Sequence, residues 1–425
     1  MESQLNCERV ESFDGLSPWD VLARVQTHEP LLFLGSEQSP YSMLALSFDE
    51  EGRDEFMLEE ARGTVDSKRL DGLPMTLGQI ALLTYDAYNP WCGRASAPSR
   101  FFRVTRSLVW SSLTKKAYLC SEHGFEKAQY QVQWPIRAAA SHVTLPPQSV
   151  DWKSTWTDSQ YLEAVAQSLE DIREGRFYQI NLLRYWQHQG DISRAYLLRR
   201  LKKFAGPFSA FIDLPDLGLV SWSPERFVRI FSAEEKLFIE AEPIKGTRPV
   251  SSDKVHDAAL MEELKNSAKD KAELHMIVDL MRNDLQRLAV RGGVSVLDSG
   301  TLHSFPNVHH LVATVRGELK PGLRLDEVCR ALCPGGSITG APKREVMDVI
   351  HSREERERGY FMGNLWYKDA YSGHIDSSIL IRTAVRQSTA SWEYAAGSGI
   401  TVKSHAYEEL QEVLTKARIV LENPW

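Results

Sequence analysis

The chain has 425 residues, 43% apolar and 25% charged, enough for one large or two ordinary globular domains. Its formal charge of −7, from 50 basic and 57 acidic side chains, argues against nucleic acid or an anionic membrane as the main partner. Met1 to Glu8 lacks the basic and apolar regions of a signal peptide, and no apolar run approaches the ~18 residues of a membrane span. The cysteines Cys7, Cys92, Cys120, Cys329 and Cys333 are scattered without a CxxC pair, so reduced thiols and a cytoplasmic address are expected.

Residues 1 to about 148 carry signals of short strands and turns. Leu31–Leu34 is apolar, Phe101 to Leu108 reads as a strand, and Gly72, Gly78 and Gly93 punctuate the region. Thr144 to Gln148 reads as a connector. Ser159 to Glu174 is a helix, with Leu162, Val165, Leu169 and Ile172 on one face and Gly175 ending it. In the strand that follows, Gln179 and Asn181 alternate onto a common face. Phe227–Phe231 and Leu237–Ala241 form a hairpin that delivers Lys245 between Pro243 and Pro249, in a turn. Strands and helices then alternate irregularly, without repeats, so the periodicity supports a mixed α/β or α+β class.

Two later helices carry charge beside an apolar stripe. Over Lys269 to Asp284, Glu273 shares a face with Ile277 and Leu280, with Asp270 one turn before it. Over Tyr407 to Ala417 the stripe is Tyr407, Leu410, Leu414 and Ala417, flanked by Glu409 and Glu412. An unpaired buried carboxylate is costly. Facing helices would let Glu273 and Glu412 hold one Mg²⁺, with Asp270 and Glu409 reaching its waters. The plainer alternative pairs Glu412 with Lys416 on a solvated face.

Cys333-Pro334-Gly335-Gly336-Ser337-Ile338-Thr339-Gly340-Ala341-Pro342-Lys343 is too rich in glycine and proline for a regular element. It feeds a helix with Val346, Val349 and Ile350 on one face, Pro342 near its first position and Thr339 as a candidate cap. Such a helix start holds anions, here a carboxylate better than a nucleotide, because no Ser or Thr follows Lys343 as in a Walker loop. Lys245 is a surface charge, an anion contact or, partly desolvated, a nucleophile. Arg382, a charge in an apolar strand, suits a carboxylate or an ordinary ion pair. His309-His310 follows a turn at Pro306-Asn307, and Gly397-Ser398-Gly399 closes a strand; neither is specific alone.

Taken in order, Ser223-Pro224-Glu225, Pro243 to Thr247, Val278 to Asp284, His309 to Val312, Pro334 to Lys343, Ile381-Arg382-Thr383 and Ala396 to Ile400 closely resemble the chorismate-utilising enzymes. That family includes the anthranilate, aminodeoxychorismate, isochorismate and salicylate synthases. The resemblance covers residues 155–421 as a chorismate-binding catalytic domain, while residues 1–148 resemble the variable N-terminal part of anthranilate synthase component I. It implies one α/β body of two packed β-sheets surrounded by helices, with the active site between the sheets.

By resemblance, Glu225 is the general acid at the departing C4 hydroxyl and Lys245 the nucleophile. Substrate contacts fall to Gln179, Thr247, His310, Ser337, Thr339, Gly340, Tyr367, Arg382, Gly397 and Gly399. Mg²⁺ falls to Glu273 and Glu412, with Asp270 and Glu409 beyond. Members that add water carry lysine at the position of Gln179, so glutamine implies ammonia; lysine rather than alanine at 245 implies amination at C4, towards 4-aminobenzoate and folate. No cysteine lies in a Gly-x-Cys-x-Gly elbow, so a separate glutamine amidotransferase, component II, is implied as the ammonia source. Anthranilate synthesis is the alternative activity. A non-catalytic chorismate- or tryptophan-binding subunit is a third, which would have no need of Glu225, Lys245 and paired metal carboxylates together. Trp366 and Ser398 stand where the family usually has small residues. Leu31 to Gly35 and Pro40 to Ser42 resemble the segment that binds tryptophan in relatives, with Leu34 where a serine often contacts that ligand.

Overall fold

The computed structural model describes residues 6–10, 17–19, 22, 30–36, 39, 41–51, 76–88, 98–122, 150–304, 308–388 and 391–422. Pro40, Gly72, Cys92, Gly93, the connector at 144–148, the turn at Pro306-Asn307 and most of the first eight residues lie outside them.

Among the described residues every strand pairing is antiparallel, and one long strand, Arg100–Ser111, serves two sheets. From its pairing with Tyr41–Glu50 the first sheet continues through Leu31–Leu34, Phe208–Asp213, Gly218–Ser223, Thr383–Ser388 and Ser391–Thr401 to Gln179–Gln189. From its pairing with Gly78–Leu83 the second runs through Asn364–Asp369, Ile375–Ile379, Arg226–Ala233 and Lys236–Ala241 to Val308–Leu319. Ile244–Pro249 and Ala289–Ser304 both join that last strand. Two packed sheets of a mixed α/β fold are thus observed, and strands from the first 150 residues lie inside both.

The first sheet is buried on both faces, so apolar residues leave both sides of its strands rather than one. Leu182, Phe211 and Val220 look outward to the helices Asp158–Arg173, Lys343–Glu354 and Ala406–Leu421, whose inner residues include Tyr161, Val346 and Val413. Their neighbours Leu183, Ile212 and Leu219 look inward, into a core shared with Val228, Ile239 and Leu311 of the second sheet. Helix Ala268–Leu288 covers the second sheet through Leu274, Ile277 and Leu285. Among the described residues no helix is long and apolar enough to cross a membrane.

The first helix matches its sequence expectation, and several later elements differ from theirs. Helix Asp158–Arg173 is capped by Thr157 and Gln160 in a capping box, and Gly175 beyond it has φ +78°. Lys245 lies in a short strand, not a turn, with the ladder shifting at Gly246, whose φ of +72° suits a bulge. Tyr407 is 67% exposed; the buried stripe of its helix is Leu410, Val413 and Ala417, with Glu409 buried among them. Thr339 does not cap helix Lys343–Glu354. Its hydroxyl donates to the Gly335 carbonyl (2.8 Å), and Pro342 occupies the cap position. The lysine of that loop is spent on structure as well: Lys343 pairs with Asp284 and donates to the Leu332 carbonyl.

Gly340 stitches the loop to the sheet, pairing with Ile180 at φ +142°. A Cβ there would stand 2.1 Å from the Gln179 carbonyl oxygen. Gly340→Ala should therefore lower the unfolding free energy by about 2–3 kcal/mol in urea titration, because both strain and a backbone clash oppose it. An unchanged midpoint would show that the loop shifts freely off the strand.

Candidate active site

Two places where the chain crosses from one sheet to the other lie side by side. Pro224 and Glu225 link Gly218–Ser223 of the first sheet to Arg226–Ala233 of the second. Leu380 to Arg382 make the reverse crossing, from Ile375–Ile379 to Thr383–Ser388. The Ile379 amide donates to the Glu225 carbonyl (3.3 Å) and the Trp222 amide to the Arg382 carbonyl (3.0 Å). Arg382 is thus not within a strand as its apolar neighbours suggest; it turns the chain at φ +50°. Among the described residues its side chain has no hydrogen-bonded or ion-pair partner, only Tyr394 and Glu225 acting through space. Burial pushes the guanidinium below its usual range, against the pull of Tyr394 and Glu225.

Around this seam each element contributes a polar group. Ser337 is the one residue of 332–340 that is not fully buried, and its hydroxyl donates to Glu225 Oε1 (3.3 Å). Burial raises the Glu225 carboxyl above its ordinary value, opposed in turn by Lys245, the Ser337 hydroxyl, Lys416 and Arg382. Lys245 crosses from the second sheet toward the first. A Cβ on Gly399 would sit 3.6 Å from its Nζ and 3.4 Å from Gln179 Nε2. Gln179 is 3% exposed, and its amide nitrogen has no hydrogen-bond partner among the described residues. Thr247 Oγ1 and His310 Nδ1 are 2.9 Å apart, and burial foremost holds the His310 pKa down to about 4, so the ring is neutral.

The helix carboxylates face the same space. Burial raises Glu273, against the attraction of Lys245 and Lys269 and with repulsion from Glu412 and Asp270. Glu412 is lowered, chiefly by Lys416, whose Nζ donates to Glu412 Oε1 (2.6 Å) and to the Gly397 carbonyl (2.8 Å). The Glu412–Lys416 pair read from spacing is therefore real, and it belongs to the site. Lys416 is the group that sequence reasoning missed; its only signal was its place four residues after Glu412. Asp270 pairs with Arg248 at 3.4 Å, and Glu409, 4% exposed, keeps one oxygen without a partner among the described residues. No three His, Cys, Asp or Glu among those residues are gathered closely enough to ligate an ion unaided.

Three expected contacts fall elsewhere. Tyr367 is enclosed, with its hydroxyl on the Asp369 carboxylate (3.0 Å) and the Leu77 carbonyl (3.3 Å). It borders a different cavity of about 520 Å³ with Leu34, Tyr41, Phe208 and Arg226. Thr339 has its hydroxyl committed inside the loop, and Gly397 is buried, facing Asn181 and Leu183. The two departures from the family pattern point away too. Ser398 bonds Tyr161 at 3.0 Å on the helix side of the sheet, and Trp366 packs edge-on against Phe227 in the core. His309 is held by Asp257 and Ser304.

The arrangement offers an amine, a carboxyl raised by burial, two further carboxylates and an unpaired guanidinium around one site. Such a set can bind a small dianion and exchange a leaving group for a nucleophile. Residues 27–422 match the family model described as chorismate binding enzyme. The chain is 40% identical over 274 residues to aminodeoxychorismate synthase component 1 of Escherichia coli, covering 64% of this chain and 59% of that protein. It is 34% identical to anthranilate synthase component 1 of Thermus thermophilus, covering 64% and 58%. Anthranilate synthase component I of Streptococcus pneumoniae superposes with a TM-score of 0.76 at 25% identity, over 97% of this chain and 99% of that one. The sequence match thus spans about six tenths of these curated relatives' length.

Glu225→Gln should be more stable than the parent near neutral pH. A carboxyl raised by burial costs stability as pH climbs past its unfolded value of ~4.3, so the advantage should vanish below about pH 4. Urea titrations across pH test the sign. A gap that widens towards acid pH would mean the cations outweigh burial at this carboxylate.

Proposed function

The chain belongs to the chorismate-binding enzymes, and we propose that within this family it is component I of an aminodeoxychorismate synthase, converting chorismate and ammonia to 4-amino-4-deoxychorismate. The observation that carries this reading is the position of the Lys245 amine. It lies beside Gln179 and Gly399, in the field of Glu225, Glu273 and Glu412, and not out in solvent. A lysine there gives a covalent route to C4 amination, and glutamine at 179 leaves no lysine to activate water.

In this route the Lys245 amine, once it has given up a proton, bonds to ring C2 as the C4 hydroxyl departs with a proton from Glu225, releasing water. Ammonia then bonds to C4 and expels the lysine from C2, so two allylic displacements restore the double bonds. The raised Glu225 carboxyl suits an acid that must hold its proton until the hydroxyl leaves. Arg382 would hold the enolpyruvyl carboxylate, with the backbone amide at Gly340 and the open face of Gly399. Ser337 orients Glu225, and Thr247 orients the neutral His310 near the ring.

Mg²⁺ fits the donors present. Glu273 and Glu412 face one another through repulsion, and the buried Glu409 has an oxygen to spare. Two direct protein carboxylates with the remaining positions left to water and substrate match this ion's habit. Glu273 and Glu412 would hold it, Asp270 and Glu409 would reach its waters, and it would neutralise the ring carboxylate next to C2. The name component 1 carried by relatives supports a separate partner, a glutamine amidotransferase, as ammonia donor.

Incubation of the chain with chorismate, Mg²⁺ and ammonium, read by mass spectrometry, should give 4-amino-4-deoxychorismate. Anthranilate would move the assignment to the sister activity, and no amination would remove it. Lys245→Ala should lower kcat by at least about a hundredfold. Full C4 amination by that variant would reduce the lysine to an electrostatic aid. Chelation of divalent cations should abolish turnover before any loss of fold.

A further inference from the structure

Beneath the glycine-rich loop lies a buried ion pair that the chemistry above leaves unused. The side chains of Glu354 and Arg358 are 0% and 1% exposed, and they hold one another at 2.6 Å. Glu354 also accepts the Leu183 amide (2.9 Å) and the Tyr185 hydroxyl (2.8 Å). The guanidinium does more than neutralise it. One Nη donates to the Ile338 carbonyl (2.9 Å), the other to the Asn181 carbonyl (2.6 Å), and the plane lies over the Tyr85 ring at 4.7 Å. A single rigid fork thus joins the loop to strand Gln179–Gln189, a geometry that lysine cannot reproduce.

Both carbonyls adjoin site residues. Ile338 follows Ser337, whose hydroxyl reaches Glu225. Asn181 shares a strand face with Gln179, whose amide lies against Gly399 near Lys245. The far half of the loop is fastened independently, by the Asn181 amide on the Thr339 carbonyl (2.9 Å) and the Tyr178 amide on the Ala341 carbonyl (2.8 Å). The turn Gly336–Ile338 has internal bonds, and Arg358 ties it to the sheet.

We propose that Arg358 is a positioning residue for this active site: by clamping the Ile338 and Asn181 carbonyls to one guanidinium it sets the reach of Ser337 to Glu225 and of Gln179 to Lys245. The role it serves rests on the function proposed above; the clamp itself does not.

Hydrogen exchange read by mass spectrometry tests the clamp without any turnover. In Arg358→Lys, peptides spanning 333–342 should exchange about tenfold faster, while those of helix Asp158–Arg173 keep their protection. In the ammonium assay the same variant should lose about tenfold or more in kcat with KM for chorismate nearly unchanged, since the carboxylate contact at Arg382 is untouched. Added guanidinium should restore turnover to Arg358→Ala; if that variant fails to fold, the lysine variant decides. The comparison variant is Arg353→Lys, on the helix that carries Glu354 but bonded to Asp171 and Ser168, which should lose stability without losing kcat. Unchanged exchange at 333–342 would overturn the clamp, and a loosened loop with parental kcat would overturn its catalytic purpose. So would equal kcat losses in both lysine variants. A parent protein that aminates no chorismate would sink the functional reading instead, and the exchange result would still settle the clamp.

Discussion

The pairing of two sheet-to-sheet crossings is the constraint on which the rest of this molecule depends. Glu225 and Arg382 are neighbours because the chain passes between the sheets twice at one seam, each passage donating an amide to the other's carbonyl. An arginine at φ +50° costs about 1 kcal/mol relative to an ordinary conformation. The cost persists because the strands on both sides are locked into ladders, and the turn has nowhere else to go. The crossing removes residues 224–225 and 380–382 from regular pairing, which frees the Glu225 and Arg382 side chains from a sheet face, while Leu380 stays in the core.

Charge follows from that geometry. Lys245, Lys416 and Arg382 converge on Glu225, yet burial still raises its carboxyl, so desolvation outweighs three cations. A few residues away Glu412 is lowered, because it touches Lys416 directly and is half exposed. Two carboxylates of one chemical type are thereby shifted in opposite directions. The difference comes from contact distance and solvent access rather than from residue identity.

The sequence was most legible where local physics decides. The helix ended by Gly175, the hairpin at 226–241 and the helix carrying Glu273 all follow from turn chemistry and periodicity. The ordered motifs foretold which residues gather at the seam, including Lys245, Gln179 and Gly399. What escaped were properties of tertiary origin. Nothing local marks Arg382 as a crossing, because an apolar strand and an apolar crossing read alike. An i, i+4 pair such as Glu412–Lys416 has the same spelling on a surface and in a cleft. Tyr367 and Thr339 carry hydroxyls suited to a ligand, and only the fold shows those hydroxyls already bonded to Asp369 and Gly335. Ser398 faces away from Gly399 simply because strand neighbours alternate.

The loosely similar N-terminal part is bound into this logic. Leu31–Leu34 covers the edge of Phe208–Asp213, and Gly78–Leu83 covers that of Asn364–Asp369. Without them each sheet would end on an unpaired, largely buried strand, an invitation to aggregation. The same segment also reaches the seam. The Tyr85 amide donates to the Gly359 carbonyl (2.7 Å), the Gly359 amide donates to Asp86 (3.0 Å), and Tyr85 roofs the Arg358 guanidinium. A charge as deeply enclosed as Arg358 is tolerable only while every donor is met and water is kept out. The N-terminal segment supplies part of that enclosure, so residues that share no motif with the cleft help hold the glycine-rich loop in place.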